Sequence, residues 1–293
     1  MISTALQQQL VQQLSQLTGS SVTSLQLAAI GGGSINDTYR LQTNNRQLFF
    51  CKINAQQKLP GLFKTEKEGL ELLAAQQVIR TPQVILLLET GTGQVLVLEW
   101  IEQGLRSAAF WKRFGEQLAA LHLCRANEFG LATDNYMGAL PQRNRCHTDW
   151  CSFFVQERLQ PQLVLAVNNR LLEVKHILQF EKLYSRLPAI FPVEPACLLH
   201  GDLWSGNFLC NEQQQPVLID PAVYYGHRSI DLAMTNLFNG FDKLFYESYH
   251  FHYPFPAGYR EQWEVCNLYP LLIHLNLFGQ SYLGDILRTI QRY

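Results

Sequence analysis

The 293-residue sequence is 47% hydrophobic and 16% charged, with a net charge of −1. Its length allows one large domain or two lobes, and the low charged fraction beside 12% aromatics excludes a disordered or acidic-tail protein. The balance of 23 Lys and Arg against 24 Asp and Glu argues against broad binding to nucleic acid or anionic membranes, both of which need a basic surface, and leaves small-molecule chemistry.

Leu6, Leu10, Leu14 and Leu17 recur at helical spacing behind Ser3 or Thr4, either of which suits an N-cap, and Gly19 ends that helix. Residues 25–30, 38–43 and 48–53 predict strands, the first two flanking Gly31-Gly32-Gly33-Ser34 and the last two joined by a turn at Asn44-Asn45. Residues 65–77 carry Leu70, Leu73 and Ala74 on one helical face. Strands at 84–88 and 95–100 follow, split by the hairpin signal Thr90-Gly91-Thr92-Gly93. Residues 20–101 therefore predict a small antiparallel sheet with one inserted helix. Beyond Gly104 the pattern turns helical, at 107–123, 149–166, 168–187, 229–245 and 260–290, with a strand–loop–strand island at 197–209 and 216–219. The Pro-rich stretch 188–195 reads as a surface connection. The expected architecture is α+β in two lobes, 1–101 and 102–293.

The seven cysteines are odd in number, scattered and without a C-x-x-C pair, which fits neither a disulfide framework nor structural zinc. The N-terminal stretch lacks a basic n-region and an apolar core, and no apolar run approaches the ~20 residues a membrane helix needs. A reduced, cytoplasmic protein is expected, without nucleic-acid or membrane partners and as a monomer.

The sharpest signal is His200-Gly201-Asp202-Leu203-Trp204-Ser205-Gly206-Asn207, set between two apolar strands and followed by Val217-Leu218-Ile219-Asp220. Phosphoryl transfer from ATP needs this set. One carboxylate, Asp202, orients or deprotonates the attacking hydroxyl; an amide oxygen on Asn207 and a second carboxylate on Asp220 hold Mg²⁺, a hard cation. A D-x-x-x-x-N loop followed by an Asp after an apolar strand has the order of the protein-kinase signature. Alone the short pattern reads better as a hairpin closed by Asp, Asn and Gly; the upstream residues reverse that. Lys52 shares a strand face with Leu48 and Phe50 and would be costly there unless paired; Glu66, rather than Glu68, is the expected partner in a phosphate clamp. Gly32, Gly33 and Ser34 join two strands, which excludes a dinucleotide-binding motif or P-loop but suits backbone N–H groups laid over phosphates. Backbone groups of Glu99 and Ile101, where a strand leaves one lobe for the other, could read the adenine edge; Ile219 is placed with them as a nucleotide-site residue.

With these motifs in place, the sequence resembles the fructosamine kinase family, in the aminoglycoside-phosphotransferase-like branch of the protein-kinase-like fold. The carrying stretches are GGGSINDTYRL, FCKIN, GLFKTEKEGLELL, LVLEWI, LLHGDLWSGNFL and LIDPAVYYGHRSIDLAMTNLF. The resemblance implies ATP- and Mg²⁺-dependent phosphorylation of a small-molecule or protein-bound ketoamine, of fructosamine or ribulosamine type, usually at the 3-hydroxyl, with loss of the sugar and deglycation afterwards. It implies that Asp202 is the catalytic base or orienter, Asn207 and Asp220 the metal ligands, and Trp204 an aromatic face beside the acceptor sugar. It further implies that His200 and Asp231 support the catalytic loop structurally. Ser34 stands where many eukaryotic relatives carry a Cys, so a redox switch through that loop is not expected.

Two rivals share the motifs: a kinase of another small alcohol, such as choline, an aminoglycoside or homoserine, and a catalytically silent nucleotide-binding module. The Tyr-rich segment 246–259 keeps a cage for a cationic acceptor open. His122 reads as a satisfied core or boundary histidine, His250 and His252 as cleft or surface residues, and Arg143, Arg145 and His147 as a solvated loop.

Overall fold

The computed structural model describes residues 4–31, 36–54, 59–90 and 93–293. Gly32, Gly33 and Ser34, assigned above to the phosphates, lie outside these residues, as does the tip of the 90–93 hairpin.

Strands β1 (Leu25–Ala29), β2 (Asp37–Thr43) and β3 (Leu48–Asn54) precede β4 (Val84–Thr90) and β5 (Gly93–Glu99) in an antiparallel sheet of order β1-β2-β3-β5-β4. The period of two divides its side chains. Leu41, Phe49, Cys51, Ile53, Val95 and Val97 bury against Leu10 and Leu14 of helix α1 (Thr4–Thr18). On the other face Phe50, Leu96 and Leu98 cluster with Leu62, Phe63 and Leu70 of α2 (Leu62–Ala75). Lys52 points to that second face, toward α2. The helix starts at Leu62, ahead of the expected position 65, because Leu62 and Phe63 are themselves core residues.

The larger half opens with α3 (Ala108–Leu121), whose Ser107 cap accepts from the Phe110 N–H at 3.3 Å. Short strands β6 (Arg125–Ala126), β7 (Asn135–Met137) and β8 (Leu140–Gln142) follow. Helix α4 (Trp150–Phe153) passes through a π-helical stretch, Phe154–Leu159, into α5 (Gln160–Asn168). Then come α6 (Val174–Ile190), β9 (Ala196–Leu199), β10 (Phe208–Cys210), β11 (Pro216–Leu218) and β12 (Tyr224–Gly226). Helices α7 (Ser229–Leu237), α8 (Lys243–His252), α9 (Tyr259–Cys266), α10 (Leu268–Phe278) and α11 (Leu283–Ile290) complete the chain. The sheet orders here are β12-β9-β6, β10-β11 and β7-β8. The α+β, two-lobed expectation holds. No helix among the described residues is long and apolar enough to cross a membrane.

Several expected boundaries are corrected. The helix placed at 168–187 begins at Val174, where Glu173 and His176 form a reciprocal N-terminal cap. It runs through Pro188 to Ile190, so the Pro-rich stretch is partly helix rather than a surface connection. The 229–245 helix is two helices, broken where Asn239 and Gly240 take φ of 59° and 100°. The 260–290 helix is broken near Asn267 and again at Gly279, φ 89°. His250 and His252 sit on a helix, where positions two apart face different directions. His147 bonds Glu157 at 2.9 Å, and the Arg143 carbonyl accepts from buried Arg158, so that loop is tied down from below.

The two halves are tied together by Leu218 N–H donating to the Arg80 carbonyl at 2.8 Å. Gly69 sets how closely α2 approaches the other half. A Cβ there would lie 3.2 Å from a Val223 methyl and 3.4 Å from Pro221, so the bare glycine lets the helix rest on the segment that follows Asp220.

Candidate active site

Strand β9 is buried throughout and delivers the chain to His200. Gly201 then takes φ 83°, and a Cβ would lie 2.0 Å from the Ala222 carbonyl oxygen. Only glycine makes this turn, and the turn brings Asp202 to the cleft. Asp231, fully buried on α7, fixes the bend from beneath: Oδ2 accepts from His200 N–H at 2.8 Å and Oδ1 from Gly201 N–H at 2.9 Å. The His200 ring adds two more ties, Nε2 donating to the Ile219 carbonyl at 2.9 Å and Nδ1 accepting from Asp202 N–H at 3.2 Å. Burial holds its pKa below the usual histidine value, consistent with this neutral form.

Burial, reinforced by the neighbouring Asp220 charge, pushes the Asp202 carboxyl up to about 7, against the pull of a hydrogen bond from Asn207. That bond runs from Asn207 Nδ2 to Asp202 Oδ2 at 2.9 Å, and the same amide nitrogen donates to the Asp202 carbonyl at 2.8 Å. With Nδ2 committed, the amide oxygen Oδ1 is turned the other way. Asp220 follows β11 with φ 54°, and its side chain is 43% exposed.

Lys52 is buried, and its ammonium bridges Glu66 Oε1 at 2.7 Å and Asp220 Oδ1 at 2.6 Å. Burial opposes its charge, but the carboxylates of Asp220 and Glu66 more than offset this and hold Lys52 charged. The cost of the site falls on Glu66, which burial raises to about 7 despite Lys52. Glu68, the alternative partner, is exposed and lies near Lys64.

One cleft gathers Lys52, Glu66, Asp202, Trp204, Asn207 and Asp220. A second, adjoining recess is lined by Ile30, Phe50, Leu98, Glu99, Ile101, Leu209 and Ile219 and shares Asp220 with the first. Its lining is largely apolar, and Glu99 and Ile101 are part of it. The Glu99 N–H, however, already donates to the Gln83 carbonyl at 2.9 Å, and its side chain pairs with Arg80. Trp204 is 39% exposed, meets Phe238 edge-on at 6.3 Å between ring centres, and covers Gly206.

Other lining groups were not expected from the sequence: Asn36, Tyr136, Met137, His274, Leu277 and Phe278. The β7–β8 hairpin brings in Tyr136 and Met137, and α10 brings in His274, Leu277 and Phe278, while Asn36 immediately precedes β2. The His274 Nδ1 donates to the Pro270 carbonyl at 2.7 Å, and its ring packs beside Phe238 at 4.9 Å and Tyr282 at 5.0 Å. An aromatic floor thus runs from Trp204 along α10. No residue of the Tyr-rich segment 246–259 lines the cleft; Phe245, Tyr249 and their neighbours pack against α3 instead.

The sequence model of the fructosamine kinase family matches residues 6–293. The chain belongs to the fructosamine kinase family. It is 41% identical to a probable ketoamine kinase of Synechocystis sp. over 94% of this chain and 92% of that one. It is 34% identical to the chloroplastic protein-ribulosamine 3-kinase of Arabidopsis thaliana, over 94% and 84%. Among solved structures, a candidate fructosamine-3-kinase of Thermobifida fusca superposes with a TM-score of 0.85 at 32% identity, covering 96% of each chain. The fold is the two-lobed plan of protein-kinase-like phosphotransferases, and this member of the fructosamine kinase family is a kinase acting on a hydroxyl group.

Proposed function

We propose that the chain transfers the γ-phosphoryl group of ATP to the 3-hydroxyl of a ketoamine sugar, of fructosamine or ribulosamine type, carried on a small amine or a protein amine. Loss of the phosphorylated sugar would then deglycate the amine. The observation that carries this reading is the convergence of Asp202, Asn207, Asp220, Lys52 and Glu66 on one cleft beside an apolar recess. The two lobes would divide at residues 101/102, and a reducing, cytoplasmic setting would suit the seven free cysteines.

In this reading Asp202, poised near neutrality, accepts the proton of the sugar hydroxyl as its oxygen attacks the γ-phosphorus and ADP departs. Asn207 Oδ1 and the Asp220 carboxylate are hard oxygen donors, and Asp220, now paired with the Lys52 ammonium, is an anionic group that would suit a cation. These two residues would hold Mg²⁺, which when bound neutralises charge on the phosphates. Lys52 would turn from Asp220 to the α- and β-phosphates while keeping Glu66. His200 and Asp231 hold the loop. Gly32, Gly33 and Ser34 would cover the phosphates, and Glu99, Ile101 and Ile219 would border the adenine.

Two features favour a ketoamine over the rival acceptors. The cleft's carboxylates among the described residues are Glu66, Asp202 and Asp220, all committed, which leaves none for a polycationic aminoglycoside. The aromatic residues that could have caged choline lie away from it. The floor of Trp204, His274 and Phe278 instead offers flat faces to sugar C–H groups. Replacing Trp204 by Ala should raise the acceptor KM about tenfold, equivalent to about 1.4 kcal/mol, and leave the KM for ATP within twofold. Initial rates with each substrate varied in turn check this; an unchanged acceptor KM would remove Trp204 from the sugar site. The function itself is tested by an acceptor panel, comparing ribulosamine, erythrulosamine and fructosamine of lysine for ATP-dependent phosphorylation.

A further inference from the structure

Arg158, in the π-helical stretch, is fully buried, and among the described residues its guanidinium meets oxygens and rings rather than a carboxylate. Nη1 donates to the Arg143 and Glu157 carbonyls, the second at 3.1 Å, and Nη2 donates to Asn144 Oδ1 at 2.7 Å. Its Cζ lies 3.9 Å from the ring centre of Tyr224, 4.6 Å from that of Phe153 and 5.5 Å from that of Tyr269. A guanidinium only donates, so it fixes which way the buried Asn144 amide faces. Asn144 Nδ2 then donates to Asn135 Oδ1 at 3.0 Å, and Asn135 Nδ2 to the Val223 carbonyl at 2.8 Å. A second branch ends in the same place. The Tyr269 O–H donates to Gln142 Oε1 at 2.7 Å, and Gln142 Nε2 donates to Asn135 Oδ1 at 2.8 Å and to the Ala222 carbonyl at 3.1 Å.

Both branches pin the β7–β8 hairpin, which carries Asn135 and Gln142, to the segment just beyond Asp220. Asn135, Tyr136, Met137, Pro221 and Ala222 line the cleft there. We propose that Arg158 is a positioning residue for the acceptor sugar: as the donor-only head of this relay, it sets how far the hairpin wall stands from the reacting groups, and so which ketoamine fits. The proposal rests on the reading of the cleft as a ketoamine site. Packing alone gives no reason for a buried arginine, since well-packed apolar side chains in place of buried charges are often as stable or more so. What an apolar side chain lacks is the power to orient an amide. Without the guanidinium, Asn144 and then Asn135 are free to turn over, and Asn135 Nδ2 leaves Val223. Hydrogen bonds in a dry chain strengthen one another, so a loss at the head reaches the tail. The wall is also registered to the catalytic loop. The Ala222 carbonyl that Gln142 holds is the one against which Gly201 packs, and the Ala222 N–H donates to the His200 carbonyl at 2.9 Å.

The test uses full-length Asn144→Asp and Arg158→Met. N144D keeps an acceptor for Arg158, now a carboxylate, but takes away the amide that donates to Asn135 Oδ1. Turning the Asn135 amide to satisfy the new carboxylate releases its bond to Val223. R158M removes the head of the relay. Each should raise the acceptor KM roughly five- to tenfold, with KM for ATP within about twofold. Each should also shift the ratio of kcat/KM between ribulosamine and fructosamine of lysine, whose sugars differ by a single CH–OH unit, by more than about threefold. That ratio does not depend on the fraction of enzyme folded, so a loss of stability alone leaves it unmoved. Amide hydrogen exchange in residues 135–142 should accelerate in both variants. A wild-type acceptor KM and ratio in N144D, or equal losses with every ketoamine and with ATP, would overturn the proposal. Should R158M fail to fold, N144D decides it. If the wild-type protein phosphorylated one of the rival alcohols and no ketoamine, the ketoamine reading would fail; the KM for that alcohol would then decide the relay, a rise in N144D upholding it and a wild-type value overturning it.

Discussion

Asp202→Asn should lower kcat by about 10²–10⁴-fold, the range a positioned general base supplies, while Mg·ATP affinity stays within a few-fold. The substitution is isosteric, and an Asn amide can turn its oxygen toward the Asn207 Nδ2 that now donates to Asp202 Oδ2 at 2.9 Å. The loop should therefore keep its shape, and the loss can be assigned to proton acceptance. The same change should stabilise the protein measured without metal and nucleotide. The Asp202 carboxyl is raised from 3.8 to about 7 by burial and by Asp220. Its folded form therefore binds a proton more tightly than the unfolded chain does. Stability falls as pH rises through the window between those two values, and above it the folded state carries a buried charge that the unfolded chain exposes to water. D202N removes that penalty. Its melting temperature should match wild type near pH 4 and exceed it by several degrees at pH 8. A D202N enzyme that turns over at the wild-type rate would dismiss Asp202 as the base; one that melts lower at pH 8 would show its carboxylate to be a structural asset.

Lys52→Met should be the second large effect. Lys52 is the shared partner of two carboxylates, at 2.7 Å from Glu66 and 2.6 Å from Asp220. Removing an electrostatic donor aimed at the transferring group costs about 10²–10³-fold in kcat, and we expect K52M in that range with the acceptor KM little changed. Its stability should depend on pH in a defined direction. Glu66 is raised to about 7 even with Lys52 present, because burial outweighs the attraction. Without the ammonium, burial and Asp220 push it further up. In acid, Glu66 takes a proton and the methionine is tolerated; as pH rises, K52M must either ionise a buried, unpaired carboxylate or resist doing so at the expense of folding. The gap in melting temperature between K52M and wild type should widen from pH 6 to pH 8.5. Breaking a buried pair one-sidedly costs about 3–5 kcal/mol when the survivor stays charged, and protonation of Glu66 should hold the loss below that. A gap that narrows with rising pH, or unchanged steady-state kinetics, would remove Lys52 from the clamp.

What the sequence disclosed follows from how far apart the cooperating residues lie. Lys52 and Glu66 were legible because a strand period and the following helix place them together over 14 residues. Asp202 and Asn207 were legible because one loop carries both. The second partner of Lys52 was not, since Asp220 lies 168 residues on and the ammonium turns to it across the cleft. His122 was legible as a satisfied core histidine, but its partners were not, since Asp231 and Tyr249 lie 109 and 127 residues away on other helices. The wall of the acceptor site was hidden differently. Strands β7 and β8 are three residues each, too short for alternation to show. Helix α10 is apolar on nearly every side, so nothing in its pattern marks His274 and Phe278 as the residues that face the cleft. The long helices predicted at 229–245 and 260–290 failed where left-handed residues such as Asn239 and Gly279 interrupt an otherwise continuous apolar pattern.

The central claim is transfer of phosphate from ATP to a ketoamine sugar hydroxyl. The most direct measurement incubates the purified protein with Mg·ATP and, in parallel, ribulosamine, erythrulosamine and fructosamine of lysine, choline, an aminoglycoside and homoserine. ATP consumption is followed, and the product is located by phosphorus NMR. We predict turnover with at least one ketoamine, phosphate on its 3-hydroxyl, and rates with choline, the aminoglycoside and homoserine near the acceptor-free background. Phosphorylation of one of those three in preference to every ketoamine, or tight binding of Mg·ATP with transfer to none, would contradict the account.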